Sequence, residues 1–385
     1  MRSGSLVNRD LRFTSRPHIE REDILMTVKI KAQGLRDWGI PFGDYLVVAG
    51  PCSAETEDQV HATVAELAKQ PVNMLRAGIW KPRTRPGCFE GVGEPGLYWL
   101  KDAGRAAGLP VTTEVATTQH VEQALKAGID VLWIGARTTV NPFSVQPIAD
   151  ALKGVDIPVM VKNPINPDIE LWLGALERLN AAGVSKLVAI HRGFTAYKKS
   201  RFRNKPNWKI PIELRRRVPS LPIICDPSHI AGTRKLVPEV SQTALDLTFD
   251  GLMVESHIDP DVALSDAKQQ LKPAELGRML AGLMPMRSTP SEDELAYIQG
   301  LRNIIDQLDT TLIGLLKQRM DIATEIGRFK RKTRLTLFQP KRWKETLTTR
   351  IRKGKDLGLD EEFLLRVYQY IHEESIRHQE EGAKD

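Results

Sequence analysis

The chain has 385 residues, 41% of them hydrophobic and 27% charged, and a net charge of +7. That length suits one large domain plus a small one, and the composition is that of a globular protein. It contains no run of about 18 apolar residues, so no transmembrane helix and no membrane partner is expected; no Lys/Arg block interleaves with aromatics as a nucleic-acid groove requires, so no nucleic-acid partner is expected either.

Residues 1–25 lack the apolar core of a secretory signal. Arg2, Arg9, Arg12 and Arg16 are offset by Asp10, Glu20, Glu22 and Asp23, which argues against a transit peptide. Residues 1–39 read as an N-terminal extension, partly disordered. The three cysteines, Cys52, Cys88 and Cys225, have no disulfide-framework spacing and fit a reduced, cytoplasmic setting.

From residue 40 onward, short apolar runs alternate with helical patterns. The runs cover residues 45–49, 72–75, 110–113, 131–134, 158–161, 187–190, 222–225 and 251–254. Helical connectors fit residues 57–69, 97–107, 118–126, 169–182 and 233–246, and Gly108, Gly128 and Gly183 supply helix C-terminal turns. Eight β/α units predict an α/β fold, a TIM (β/α)8 barrel over residues 40–284. One βα loop, residues 194–211, is long and carries Lys198, Lys199, Arg201, Arg203, Lys205 and Lys209, a charge run that reads as a solvated face. Residues 285–293 read as a linker. Residues 294–385 read as a small all-α domain, with Leu301, Ile304, Ile305, Leu308, Leu312, Leu315 and Leu316 at helical spacing. So small a unit cannot bury a long apolar stripe alone, so a homodimer or higher homo-oligomer is expected.

Each run of the barrel ends in charged or metal-capable residues, where such barrels keep their active sites. Cys52, His229, Glu255 and Asp266 offer a thiolate, an imidazole and two carboxylates, a mixed set that accepts a divalent metal ion such as Mn, Fe, Co or Zn. Arg76, Lys81, Arg83, Arg137, Lys162 and Arg192 collect at the same end. Arg offers planar bidentate contacts to phosphate or carboxylate and Lys a point charge. An anionic, phosphorylated substrate follows.

Ala49-Gly50-Pro51-Cys52-Ser53, Lys81-Pro82-Arg83-Thr84, Gly135-Ala136-Arg137, Asp226-Pro227-Ser228-His229 and Glu255-Ser256-His257 together resemble 3-deoxy-D-arabino-heptulosonate 7-phosphate synthase, in its compact subclass, across nearly all of residues 45–282. The resemblance implies condensation of phosphoenolpyruvate with erythrose 4-phosphate. It makes Cys52, His229, Glu255 and Asp266 the metal ligands and gives phosphoenolpyruvate to Arg76, Lys81, Arg137, Lys162 and Arg192. Arg83 and Thr84 would take the sugar phosphate, Lys81 would transfer a proton to the aldehyde oxygen, and Glu114 would orient the attacking water. His191 receives no role. A 3-deoxy-octulosonate 8-phosphate synthase, acting on arabinose 5-phosphate, is the alternative within the fold.

Leu301-Arg302, Leu308-Asp309, Leu315-Leu316, Arg319 and Gly327-Arg328-Phe329-Lys330 resemble the all-helical chorismate mutase family, over about residues 294–380. The resemblance implies that Arg302, Arg319, Lys330, Arg342, Ser375 and Gln379 bind chorismate. Lys330 and Gln379 would contact its ether oxygen, and Arg302 would reach the partner protomer's site. Trp343 and Gln339 stand where the family usually has acids. The other reading of this domain is a regulatory module that binds chorismate or prephenate, with prephenate the expected inhibitor.

Overall fold

The structure, a computed structural model, describes residues 30–81, 87–195, 200–285 and 290–382. Two compact units divide between residues 288 and 289. In the first, all eight apolar runs form parallel strands: β1 (Leu46–Gly50), β2 (Met74–Arg76), β3 (Val111–Val115), β4 (Val131–Ile134), β5 (Val159–Lys162), β6 (Leu187–His191), β7 (Ile223–Cys225) and β8 (Gly251–Glu255). Each strand pairs with the next, and β8 closes on β1 with Leu46 opposite Gly251 and Gly50 opposite Glu255. The expected TIM barrel is therefore present.

The barrel helices are α1 (Glu57–Leu67), α2 (Pro95–Ala107), α3 (Thr118–Lys126), α4 (Ala136–Thr139), α5 (Pro142–Ala151), α6 (Ile169–Ala181), α7 (Lys209–Arg217), α8 (Pro227–Ala231), α9 (Val237–Asp246) and α10 (Pro273–Gly282). Local chemistry starts them: Thr56, Thr117 and Asp168 accept backbone N–H groups of α1, α3 and α6, which satisfies donors that a helix start leaves unpaired. The segment expected as one helix over residues 233–246 is a 3-10 turn, Arg234–Leu236, running into α9. Pro238 sits in the first turn of α9, the place where a missing N–H costs nothing.

Strand alternation sorts the side chains. Leu46, Val48, Met74, Val131, Trp133, Met160, Val188, Ile190, Ile224 and Met253 form one buried cluster inside the barrel. Their strand neighbours Val47, Ala49, Leu75, Leu132, Val161, Ala189, Cys225 and Val254 belong to a second cluster against the helices. Two residues beyond each inner residue the chain faces inward again. Met74, Met160, Ile190, Ile224 and Met253 are thus followed by Arg76, Lys162, Arg192, Asp226 and Glu255, a charged layer at the C-terminal mouth. Residues 30–39, assigned from sequence to the extension, are partly core: Ile30 joins the outer cluster and Leu35 the inner one, with Trp38, Ile40 and Phe42 packed against the latter.

The second unit comprises α11 (Glu292–Lys332), α12 (Pro340–Asp356) and α13 (Glu361–Gly382). A capping box of Ser291 and Glu294 opens α11. Only the later part of α11 is buried, at Met320, Ala323, Gly327 and Lys330. At Gly327 a Cβ would lie 2.2 Å from the Gln379 carbonyl oxygen, so glycine there lets α11 and α13 approach closely.

Candidate active sites

Arg76, at the end of β2, is 1% exposed. Its guanidinium lies over the Trp133 ring at 4.9 Å. Nη2 is 3.4 Å from Glu255 Oε1 and donates to the Cys52 carbonyl at 3.3 Å. Nε and Nη1 are buried with no hydrogen-bond partner among the described residues. Leaving charged donors unmet in a protein interior is costly, so two such donors facing the barrel mouth mark a place for an anion. Lys162 donates to Asp226 Oδ2 at 2.7 Å. Burial works to raise the Asp226 pKa, but His229, Lys162 and Arg76 outweigh it and hold this carboxyl well below the usual carboxylate range.

Cys52, Glu255 and Asp266 place a sulfur and two carboxylate oxygens within 4.8 Å of one another. The fourth expected ligand, His229, stands beside them, with Nε2 3.7 Å from Glu255 Oε1 and 3.7 Å from Asp266 Oδ2. Its Nδ1 lies 3.0 Å from Asp226 Oδ1, which turns Nε2 toward the cluster. Glu255 Oε1 is buried without a hydrogen-bond partner among the described residues. Burial, reinforced by Glu255, pushes the Cys52 thiol up to about 12. A buried sulfur, an imidazole with one nitrogen already engaged and an unmatched carboxylate oxygen fit a divalent cation. Lys81 Nζ sits against the same group, 3.1 Å from Cys52 Sγ and 2.5 Å from the Cys52 carbonyl oxygen.

Beside the cluster lies a cavity of about 400 Å³, lined by Glu114, Arg137, Lys162, Arg192, Arg203, Asn204, Thr195 and His229, among others. Glu114 accepts from Trp133 Nε1 at 3.1 Å. Burial pulls the Arg192 guanidinium down to about 10. Glycine makes the room: a Cβ at Gly135 would come within 1.9 Å of Glu114 Oε1, and one at Gly50 within 2.0 Å of the Arg76 carbonyl oxygen. Arg83 and Thr84 lie outside the described residues.

Arg201, Lys205 and Lys209 of the long loop are exposed, as the reading of a solvated face expects, and Arg203 is the exception that reaches the site. Its Nη1 is 3.0 Å from Asp266 Oδ1 and donates to Gln269 Oε1 at 2.8 Å. Asn204 Nδ2 donates to the His229 carbonyl at 2.6 Å. Arg201 stays outside, paired with Glu239 on the surface. Nothing in the charge run distinguishes Arg203 from its neighbours; the Phe194–Lys205 bridge that folds the loop back does so. His191 lies on the outward parity of β6, among Trp172, Phe194, Trp208 and Phe249 at ring distances of 5.1–6.5 Å.

In the helical unit, Arg319 Nη1 donates to the Ser375 hydroxyl. Lys330 Nζ donates to Gln379 Oε1 at 2.8 Å and to the Leu337 carbonyl at 2.6 Å. Each of these two side-chain pairs ties α11 to α13. Trp343 stacks on His372 at 3.9 Å, and Phe338 lies 5.8 Å from the same ring. An aromatic pair therefore stands near where acids were expected. Arg342 is exposed, 3.8 Å from Glu345. Arg302 is exposed about 26 Å along α11 from Arg319, out of reach of both pairs in its own protomer.

Residues 36–288 match the model of the DAHP synthetase I family, and residues 301–380 match that of chorismate mutase type II. A phospho-2-dehydro-3-deoxyheptonate aldolase of Thermotoga maritima is 34% identical over 237 residues, covering 62% of this chain and 68% of the relative. A crystal structure of the Thermotoga maritima enzyme superposes with a TM-score of 0.57 at 32% identity, over 63% of this chain and 69% of that one. A 2-dehydro-3-deoxyphosphooctonate aldolase of Aromatoleum aromaticum is 25% identical, covering 62% of this chain and 89% of its own length. A barrel mouth with buried cations beside a sulfur–carboxylate cluster, joined to three helices with a Lys–Gln pair, agrees with both family matches: the chain belongs to the DAHP synthetase I family through residues 36–288 and carries a chorismate mutase type II domain over residues 301–380.

Proposed function

We propose that the barrel, residues 40–284, joins phosphoenolpyruvate to erythrose 4-phosphate, releasing phosphate, and that residues 294–385, beyond a linker at residues 285–293, rearrange chorismate to prephenate. The observation that carries the first reading is the pair of unmet buried donors of Arg76 beside the Cys52–Glu255–Asp266 cluster. Arg76, Lys81, Arg137, Lys162 and Arg192 hold phosphoenolpyruvate, and Arg83 and Thr84 take the phosphate of the sugar. Fixing two mutually repelling anions among preorganised cations removes much of the barrier to their meeting. Cys52, His229, Glu255 and Asp266 hold a divalent ion, of Mn, Fe, Co or Zn type, which supplies Lewis acidity at the aldehyde when bound.

The bond forms between C3 of phosphoenolpyruvate and the aldehyde carbon. Lys81 delivers a proton to the aldehyde oxygen. Glu114 orients the water that adds at C2, and phosphate leaves with cleavage of its C–O bond. The octulosonate reading has support from relatives about 25% identical, such as the Aromatoleum aromaticum aldolase, against 34% for the heptonate aldolase.

In the helical unit, Lys330 and Gln379 face the ether oxygen, where negative charge grows during the rearrangement. Arg319, Arg342 and Ser375 hold the carboxylates and hydroxyl, and Arg302 acts in the partner's site. The protein works as a cytoplasmic homo-oligomer, and prephenate bound to the helical unit inhibits the barrel.

Cys52→Ala tests the metal reading. Phosphoenolpyruvate consumption should vanish in this variant and stay absent on modest addition of Mn²⁺. Full activity of the variant in the presence of chelator would remove Cys52 from the ligand set.

A further inference from the structure

We propose that Gln269 is a positioning residue that ties the two metal-binding carboxylates to the wall of the anion cavity. Gln269 is 1% exposed. Its Nε2 donates to Glu255 Oε2 at 2.7 Å and reaches Asp266 Oδ2 at 3.4 Å. Its Oε1 accepts from Arg203 Nη1 at 2.8 Å, and that same nitrogen is 3.0 Å from Asp266 Oδ1. The amide can be oriented one way only: exchanging its ends would set an oxygen against a carboxylate and an NH2 group against a guanidinium.

The consequence for Glu255 is selective. Oε2 is engaged by Gln269, while Oε1 makes no hydrogen bond and lies 3.4 Å from Arg76 Nη2 and 3.7 Å from His229 Nε2. Asp266 depends on support of the same kind. Its φ is +49, a left-handed conformation that a non-glycine residue seldom adopts unless its surroundings impose it. Arg234 fixes the backbone of this segment, with Nε donating to the Gln270 carbonyl at 2.7 Å and Nη2 to the Ala267 carbonyl at 2.9 Å. The Asp266 carboxylate itself meets Cys52 Sγ and His229 Nε2, each 3.7 Å from Oδ2, and is held from the other side by Gln269 and Arg203. Arg203 also lines the anion cavity with Arg137, Lys162 and Arg192. One buried amide thus sits between the ligand set and the cationic wall, and removing it loosens both.

This inference rests on the metal reading given above. The test is a Co²⁺ titration of the full-length protein stripped of metal, followed by the thiolate-to-metal absorption of Cys52 and the cobalt ligand-field bands. Gln269→Leu removes both polar arms with little change in volume. The dissociation constant should rise about 10–100-fold, the usual scale for lost outer-shell support. The ligand-field bands should shift, and the Michaelis constant for phosphoenolpyruvate should rise even with metal saturating. Gln269→Met should behave alike, and serves if the Leu variant does not fold. A folded variant with wild-type bands and wild-type Co²⁺ affinity overturns the proposal. Absence of thiolate absorption in the wild type itself would overturn the metal reading, and this inference with it.

Discussion

His191 and Arg192 are neighbours in sequence with opposite fates. Arg192 faces the cavity; His191 is turned outward into aromatic packing, its ring nitrogens without hydrogen-bond partners among the described residues. The Pro206 carbonyl is near enough to favour the charged form without reaching hydrogen-bond geometry, and burial dominates, pulling the imidazole down to about 3. An unfolded histidine titrates near 6.5. Between these values the unfolded chain binds a proton that the folded barrel refuses, so stability rises with pH and is lost as pH falls below about 6.5. The expected loss is roughly 1 kcal/mol per pH unit between about pH 6 and 5, above the range where ordinary carboxylates titrate. His191→Phe should flatten this limb in thermal unfolding scans of the barrel transition. An unchanged limb would place the acid sensitivity elsewhere. Residue by residue, the sequence revealed strand-end chemistry well: Arg76, Lys162, Asp226 and Glu255 all sit at the mouth because alternation puts them there. It did not reveal Arg203 or Gln269, which reach the site through a folded-back loop and a left-handed turn that no periodicity encodes.

Among the elements, the eight strands were legible because each is a short apolar run bounded by turn residues, and a buried parallel strand needs no other signal. The pairing of α11 with α13 was not legible, since it depends on close approach at Gly327 and, farther on, at Gly382, where a Cβ would lie 2.5 Å from the Thr324 carbonyl oxygen. Gly327→Ala should force the helices apart, as small-to-large changes in packed interiors do, at a cost of about 1–3 kcal/mol. Gln379 would then draw away from Lys330, and mutase activity should fall while the barrel's unfolding transition stays put. Chorismate consumption and calorimetry on the same preparation check this; full mutase activity would show that the Lys330–Gln379 contact tolerates a wider spacing.

At the scale of the whole molecule, the helical unit presents an apolar face that no described residue of that unit covers. Leu301, Ile304, Ile305, Leu308, Leu312 and Leu315 are 47–63% exposed along the first part of α11. Contiguous apolar surface of this kind marks an interaction site. On the dimer reading proposed above, a second copy would supply the Arg302 that lies about 26 Å along α11 from Arg319. Leu308→Glu with Leu312→Glu should yield a monomer by sedimentation, abolish mutase activity and make the barrel insensitive to prephenate. A monomer that keeps full mutase activity would contradict the shared site. The central claim concerns the barrel, and a parallel phosphate-release assay tests it most directly. Phosphoenolpyruvate is supplied with either erythrose 4-phosphate or arabinose 5-phosphate, each with and without chelator. Release is predicted with erythrose 4-phosphate alone, abolished by chelator and restored by Mn²⁺. Faster release with arabinose 5-phosphate, or release that survives full chelation, would contradict the account.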